Sequence, residues 1–416
     1  MPSRPPILLI AYKYPPYPLV GAFRWTRFSK YLAELGHPIE VVTVNWKLPD
    51  TGNLLPQVQH PNIRIHRIPS GYPHNFRMKR TGHRLLDSLR YRIFSHFIDR
   101  YFYWDDEAQH WGRHLLPKCR EIIQNRDIRV VIATGSPFRS NYWAAQLKRE
   151  LPHIRLIQDL RDPWVRNPLK RFPNRKLALK VENETLSAAD HIVTVSEGMA
   201  EHFRQNLDRD VPVSVINNGF DPSLLIADEV DKAKVSGKIP VVSIVYTGSL
   251  SNGREELLTQ LLDSVERQDT ANLKLAVAGN YSYKLAERYR RLIDGGILEL
   301  CGLISQHDAF RLISRADFAL QLNAAIYPYA LSTKIFEYAA MRVPCLSLNF
   351  GGDIDRTIRE CSLGYSIDLR HEKIDPWVAG LAGGQLSREF DFSIEAYSYK
   401  TLSAKYSDLI LRMDHD

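Results

Sequence analysis

Four residues close together carry the most direct chemical signal in this chain: Ser332, Thr333, Lys334 and Glu337. The hydroxyls of Ser332 and Thr333 suit a helix N-terminus, where they satisfy free backbone N–H groups. Lys334 adds positive charge at an end whose dipole already favours anions. Glu337 follows three residues later, close to one turn, and so shares a face with Lys334. Such an end can hold a phosphate while the carboxylate accepts hydrogen bonds from sugar hydroxyls. The same pattern also suits an ordinary capped helix with an exposed Lys–Glu pair.

The elements that must position these residues alternate between apolar runs and helical periodicity. Strands are expected at residues 6–11, 39–44, 63–68, 130–134, 155–159, 191–195 and 213–216. Helices are expected at residues 23–35 (closed by Gly36), 141–150, 176–188 and 199–205. Residues 221–240 are polar and read as a linker. The pattern then restarts, with strands at 241–246, 273–277, 298–300, 318–322 and 345–348. Helices begin near Arg254 and cover 283–292, 306–315 and the segment after Lys334, and a terminal helix spans 394–413. Strand, helix, strand repeated in this way predicts two doubly wound α/β domains. The expected boundaries are 1–220, a linker at 221–240, 241–390, and a terminal helical segment at 391–416.

The chain has 416 residues, 44% hydrophobic and 25% charged, which fits two or three globular domains. Its net charge of +8 favours acidic partners such as nucleotide phosphates or anionic lipid. No nucleic-acid-reading module accompanies that charge, so no nucleic-acid partner is expected. Cys119, Cys301, Cys345 and Cys361 are far apart, without zinc spacing or a disulfide framework. Reduced thiols in a cytoplasmic protein are expected. The apolar run at residues 7–10 is too short for a signal peptide, and no run reaches the ~18 to 20 apolar residues needed to span a bilayer.

Further candidates lie just beyond expected strands, the ligand-facing edge of a doubly wound sheet. Gly21 and Ala22 are small enough for backbone amides to approach a phosphate, although a plain turn explains them too. Ser136 and Pro137, the run from Asp159 to Trp164, and Ser196 occupy equivalent places. The Asp159 run also suits a structural Arg–Asp pair with a packed Trp. Asp105 and Asp106 form an acidic pair that reads as a solvated loop, and no metal site is expected. Residues 77–104 interleave seven cations, Arg90 and Arg92 among them, with apolar residues at helical spacing (86, 89, 93, 97). That composition suits a basic amphipathic helix on an anionic membrane surface. A helix packed on the core, with solvated arginines, has the same periodicity.

From Tyr14-Pro-Pro16 to about Tyr365 the order of these signals resembles the GT-B glycosyltransferases, in particular the large retaining family of bacterial polysaccharide and lipopolysaccharide transferases. The resemblance implies two Rossmann-like domains facing across a cleft, with a final helix returning to the first domain. It places the nucleotide sugar in the C-terminal domain and the acceptor in the N-terminal one. Gly21 and Ala22 would then approach the donor sugar. Gly248, followed by Gly253 and Arg254, resembles the family's diphosphate loop, in which an Arg fork holds two phosphate oxygens. The family's lysine one turn later would fall near Thr259, so the resemblance gives its role to Lys334. Leu303 and Ile304 would flank the base through backbone groups. Glu337 matches the second of the family's two glutamates, the ribose ligand. Tyr329 stands where the first would be, leaving that contact to backbone groups of residues 327–331. Asn141 stands near the family's usual histidine.

The resemblance therefore implies a retaining, metal-independent hexosyltransferase without cofactor. It would move a sugar from a nucleotide-diphosphate sugar to a glycan or polyprenyl-linked acceptor, in surface or exopolysaccharide biosynthesis. Arg254 and Lys334 would neutralise the leaving phosphate, which can itself accept the proton. Asp162, with Asp106 as the other candidate, would meet the acceptor hydroxyl. The protein would be cytoplasmic, and peripheral at the inner membrane face if residues 77–104 bind lipid. The missing glutamate and histidine also motivate a catalytically inactive scaffold that binds nucleotide or glycan.

Overall fold

In a computed structural model the described residues are 4–74, 84–94, 102–224, 241–268, 270–326 and 329–415. Most of the expected linker therefore lies outside them, as does much of segment 77–104. The chain divides into two compact units, residues 1–217 with 402–416, and residues 218–401.

Continuous apolar runs become the central buried strands of unit 1, as a sheet covered on both faces requires, while the edge strands Ile63–Ile68 and Val213–Val215 are more polar and partly exposed. Its strands are β1 Ile7–Ala11, β2 Ile39–Val44, β3 Ile63–Ile68, β4 Val130–Thr134, β5 Arg155–Leu160, β6 His191–Thr194 and β7 Val213–Val215. They form one parallel seven-stranded sheet in the order β3-β2-β1-β4-β5-β6-β7. The chain runs outward from β1, then returns to place β4 on its other side. The β1/β4 boundary is thus a topological switch point, the usual ligand position in open α/β sheets.

One helix of this unit, Gly112–Arg126, escaped the sequence reading. Pro117 and a largely charged outer face hide its apolar stripe, yet Leu115, Cys119, Ile122 and Ile123 pack beneath the sheet with Leu8, Val42 and Val131. Gly36, with φ of +95°, follows the Val20–Glu34 helix in the left-handed region that a closing glycine serves.

Unit 2 repeats the design with β8 Val242–Thr247, β9 Leu273–Ala278, β10 Leu298–Gly302, β11 Phe318–Leu322, β12 Cys345–Asn349 and β13 Gly364–Asp368. All pairs are parallel, in the order β10-β9-β8-β11-β12-β13, so its switch point lies between β8 and β11. Leu258, Leu262, Val277, Leu320 and Leu348 are core residues here. β13 was not expected from sequence, because an edge strand tolerates the polar Ser366 and Asp368. The Asp353–Glu360 and Ile374–Ala382 helices that flank it were also missed.

The terminal helix is Tyr399–His415, shorter at its start than the expected 394–413 because a 3-10 turn occupies Glu395–Tyr397. Ser398 accepts a hydrogen bond from the Thr401 N–H and caps it. Residues 402–416 of this segment belong to unit 1. There Tyr406 packs on Trp25 and Phe28, and Ser407 bonds His37 at 2.8 Å.

Candidate functional site

In unit 2 the residues expected to hold a diphosphate gather at the β8/β11 switch point. β8 ends at Thr247, and Gly248 follows with φ of +132°, a conformation that L side chains rarely adopt. Its N–H donates to Ala278 O at 2.7 Å, and the Gly279 N–H donates to Gly302 O at 2.7 Å, lacing together the ends of β8, β9 and β10. A Cβ on Gly279 would overlap the Gly248 carbonyl, and one on Gly248 would overlap Lys334 Nζ. Backbone thus approaches backbone as closely as glycine allows. Gly253, with φ of +84°, caps the Arg254–Arg267 helix, and a Cβ there would press on Ala324, just past β11.

Lys334 opens the Lys334–Ala340 helix, and its Nζ donates to Thr247 O over the Tyr246 ring. Desolvation, then the Arg254 charge, push its ammonium down to about 8, while Glu337 pulls the other way. Two cations crowd one small site, an arrangement that an arriving anion relieves. The expected hydroxyl caps are only partly present. Ser332 Oγ accepts from the Lys334 N–H at 3.4 Å, but Thr333, at the cap position, has helical φ and ψ and makes no side-chain cap. Thr259 is committed elsewhere, its carbonyl accepting from the Tyr289 hydroxyl. Beyond β10, Leu303 (77% exposed) and Ile304 offer an apolar ledge.

The N-terminal candidates Gly21, Ala22 and Asp162 all belong to unit 1. Gly21 and Ala22 lie in the first turn of the Val20–Glu34 helix, one turn earlier than expected. The Ala22 N–H is committed to Leu19 O at 2.9 Å, against the expectation that it approaches a phosphate. The Gly21 carbonyl accepts from Arg161. Asp162 is exposed beyond β5 and acts electrostatically on Lys170.

The run from Asp159 to Trp164 turns out to be partly structural. Asp159 pairs with the buried Arg24 (2.9 Å), not with Arg161, and also accepts from Trp25, Thr134 and Tyr406. Arg24 further donates to the carbonyls of Ile216 and Asn217. Trp164 is buried, stacks on Phe138 and donates to Asp105 at 2.8 Å. Asn141 donates to Ala133 O and Gln158.

At the β1/β4 switch point of unit 1 lies a cavity of about 660 Å³. Lys13, Tyr72, Asp106, Ser136 and Lys170 line it from five separate segments. Asp105 and Asp106 belong to its wall, not to a solvated loop as the sequence suggested. Asp105 pairs with Arg139 at 2.6 Å, and Asp106 accepts from the N–H groups of Ala108 and Arg139 at 3.0 Å each. Burial, then the charge on Asp105, push Asp106 up to about 7. Lys13 pairs with Glu107 at 3.1 Å. Lys170 lies over the Phe138 ring, its ammonium pushed down by burial. Sequence reasoning missed Lys13 and Lys170, because nothing local marks residues that only the sheet brings together.

Of segment 77–104, the described part includes the Arg84–Ile93 helix. Leu86, Leu89 and Ile93 are each more than half exposed among the described residues, as is Phe102, while Phe94 is buried against Tyr72. The apolar face at 86, 89 and 93 therefore does not pack on the core. Position 97 lies outside the described residues. No described helix is long and apolar enough to cross a membrane. Among the described residues no cluster of three or more His, Cys, Asp or Glu is placed to hold a metal ion.

Residues 22–219 match the family model described as Glycosyl transferase 4-like domain. No curated protein matches the chain. Among solved structures, a glycosyltransferase from Rickettsia africae is similar at 16% identity, with a TM-score of 0.64 and 99% of each chain covered. Sucrose-phosphate synthase from Thermosynechococcus elongatus is similar at 14% identity, with a TM-score of 0.62, covering 99% of this chain and 100% of that one. Anabaena HepE in complex with UDP and glucose is similar at 12% identity, with a TM-score of 0.57, covering 99% and 97%. The two parallel sheets of seven and six strands are the GT-B fold.

Proposed function

We propose that this chain is a glycosyltransferase. It moves a sugar from a nucleotide-diphosphate sugar to a glycan or lipid-linked acceptor of surface or exopolysaccharide assembly. The observation that carries the reading is Lys334 Nζ against Gly248, with Arg254 close enough to depress its pKa, at the β8/β11 switch point. Glycines that admit backbone to a ligand, beside two cations, are what a diphosphate needs. The match of residues 22–219 and the UDP and glucose held by the Anabaena relative support the same substrate class.

In this reading Arg254 and Lys334 neutralise the charge that develops on the departing diphosphate. Glu337 accepts from the ribose hydroxyls, Leu303 and Ile304 flank the base, and Gly21 serves the donor sugar. The reaction proceeds with retention and without a metal, the leaving phosphate taking the proton of the acceptor hydroxyl that Asp162 orients. The exposed stripe of Leu86, Leu89 and Ile93 rests on an anionic membrane surface.

The test is release of nucleoside diphosphate from a panel of nucleotide sugars with glycan and lipid-linked acceptors. Arg254→Ala and Lys334→Ala should each lower turnover by about 100-fold without shifting the unfolding midpoint. Unchanged turnover in both would remove the assigned site. A second reading, a scaffold that binds nucleotide without turnover, is favoured by Tyr329 standing where the family carries a glutamate. Selective nucleotide binding with no turnover of any donor would select it.

A further inference from the structure

The cavity of unit 1 contains three carboxylates and three cations, but they are not equally committed. Asp105 has its charge met by Arg139 and also accepts from Trp164. Asp106 accepts from two backbone N–H groups, one to each oxygen. Glu107 is paired with Lys13. Each carboxylate is thus in contact with a partner from the protein itself, although Glu107 Oε1 meets Lys13 as an ion pair without a well-formed hydrogen bond.

Lys170 differs from them. Among the described residues, no carboxylate oxygen lies within 4.0 Å of its Nζ and no acceptor holds its three N–H groups. What lies beneath it is the face of Phe138, 4.3 Å from the ring centre. That contact is a weak attraction and satisfies no hydrogen bond. The charges of Asp106, Asp105 and Asp162 attract it from a distance, Lys13 repels it, and Arg171 adds a further cation at the exposed rim. Lys13 is spent on Glu107, whereas among the described residues the N–H groups of Lys170 are left with only the Phe138 ring. A half-buried ammonium without an acceptor is costly, and an oxyanion is the ligand that offsets the cost most fully.

We propose that Lys170 anchors an anionic group of the acceptor in this cavity, which makes the protein selective for acceptors that carry a phosphate or carboxylate next to the reacting sugar. The inference rests on the transferase reading and deepens it, because it names the acceptor class. Phosphate of a lipid-linked sugar and carboxylate of an acidic sugar present the same oxyanion to Lys170. Lys170 is a specificity residue here: it holds the acceptor and leaves the bond-breaking to unit 2.

Isothermal titration calorimetry on the full chain tests this, with geranyl diphosphate, methyl glucuronide and methyl glucoside as probes. The native protein should bind one of the two anionic probes at least about tenfold more tightly than the neutral glucoside, roughly 1.4 kcal/mol. The geranyl diphosphate arm identifies the phosphate source and the glucuronide arm the carboxylate source. Lys170→Met should lose that preference about tenfold, and Lys170→Arg should restore most of it. Lys334→Ala should keep it, which shows that the probe is not simply occupying the diphosphate site of unit 2.

Equal binding of glucoside and anions, no binding of any probe, or loss in Lys334→Ala but not in Lys170→Met would each overturn the proposal. Nucleoside diphosphate affinity, measured in the same Lys170→Met sample, should match the native value. That match confirms folding and keeps this test separate from the transferase reading, which fails only if nucleotide binding and turnover are absent from the native protein.

Discussion

The two switch points share a topology and differ in material. In unit 2 the site is made of backbone: Gly248, Gly253 and Gly279 in left-handed or extended positive-φ conformations, with Arg254 and Lys334 over them. In unit 1 the corresponding place is made of side chains: Lys13, Asp106 and Lys170 among aromatic rings. A backbone cradle fits a group whose shape never changes, such as a diphosphate. A side-chain cavity can be rebuilt residue by residue to suit a particular acceptor. Under the proposed function, this contrast assigns the diphosphate to main chain and the acceptor to side chains.

The contrast can be broken most forcefully at Gly248. A Gly248→Ala Cβ would displace the Lys334 ammonium and strain a φ of +132°. Nucleoside diphosphate affinity should fall about 100-fold in equilibrium titration. Phe172→Ala, at the side-chain cavity, should weaken acceptor binding by only about 2- to 10-fold and leave nucleotide binding alone. Equal losses in the two variants would mean that both sites depend on single residues.

The pH dependence sharpens the same contrast. Lys334 is held down to about 8, and under the proposed function it binds phosphate as the ammonium. Nucleoside diphosphate affinity should be level below about pH 8 and fall by up to about tenfold per unit above it. Stability runs the other way. The folded pKa lies below the ordinary value of 10.5, so charging the buried lysine opposes folding at low pH, and this penalty is relieved as pH rises from about 8 towards 10.5. Affinity measured from pH 6.5 to 9.5 in native protein and Lys334→Arg checks this, because the arginine should flatten the curve. A curve that is flat in the native protein would remove Lys334 from the phosphate site.

The smallest expected effect concerns the exposed stripe of unit 1. Arg90→Glu with Arg92→Glu should lower cosedimentation with anionic liposomes several-fold, at about 1 kcal/mol for each cation removed from the surface. Neutral liposomes should show no change. Equal cosedimentation of variant and native protein would leave the stripe without a lipid partner.

How much of this was legible in the sequence follows from the same division. All strands but β13 were readable, most plainly where a buried parallel strand is a nearly unbroken apolar run, as in β1 and β4. The clustering of the unit 2 candidates was readable because they are local: Gly248 to Arg254 in one loop, Ser332 to Glu337 around one helix start. The unit 1 cavity was not, because Lys13, Asp106 and Lys170 are joined only by the sheet. Asp159 looked like a site residue for the opposite reason. It lies inside β5 rather than beyond it, and its partner, Arg24, is 135 positions away. The Gly112–Arg126 helix and β13 were missed where Pro117 or edge polarity masked the period.

Calorimetric titration of UDP, GDP, ADP and CDP into native protein and Lys334→Ala tests the central claim most directly. One nucleoside diphosphate should bind selectively to the native protein and at least about tenfold more weakly to the variant, with both proteins folded. Binding of none of the four, or binding that Lys334→Ala leaves unchanged, would contradict it.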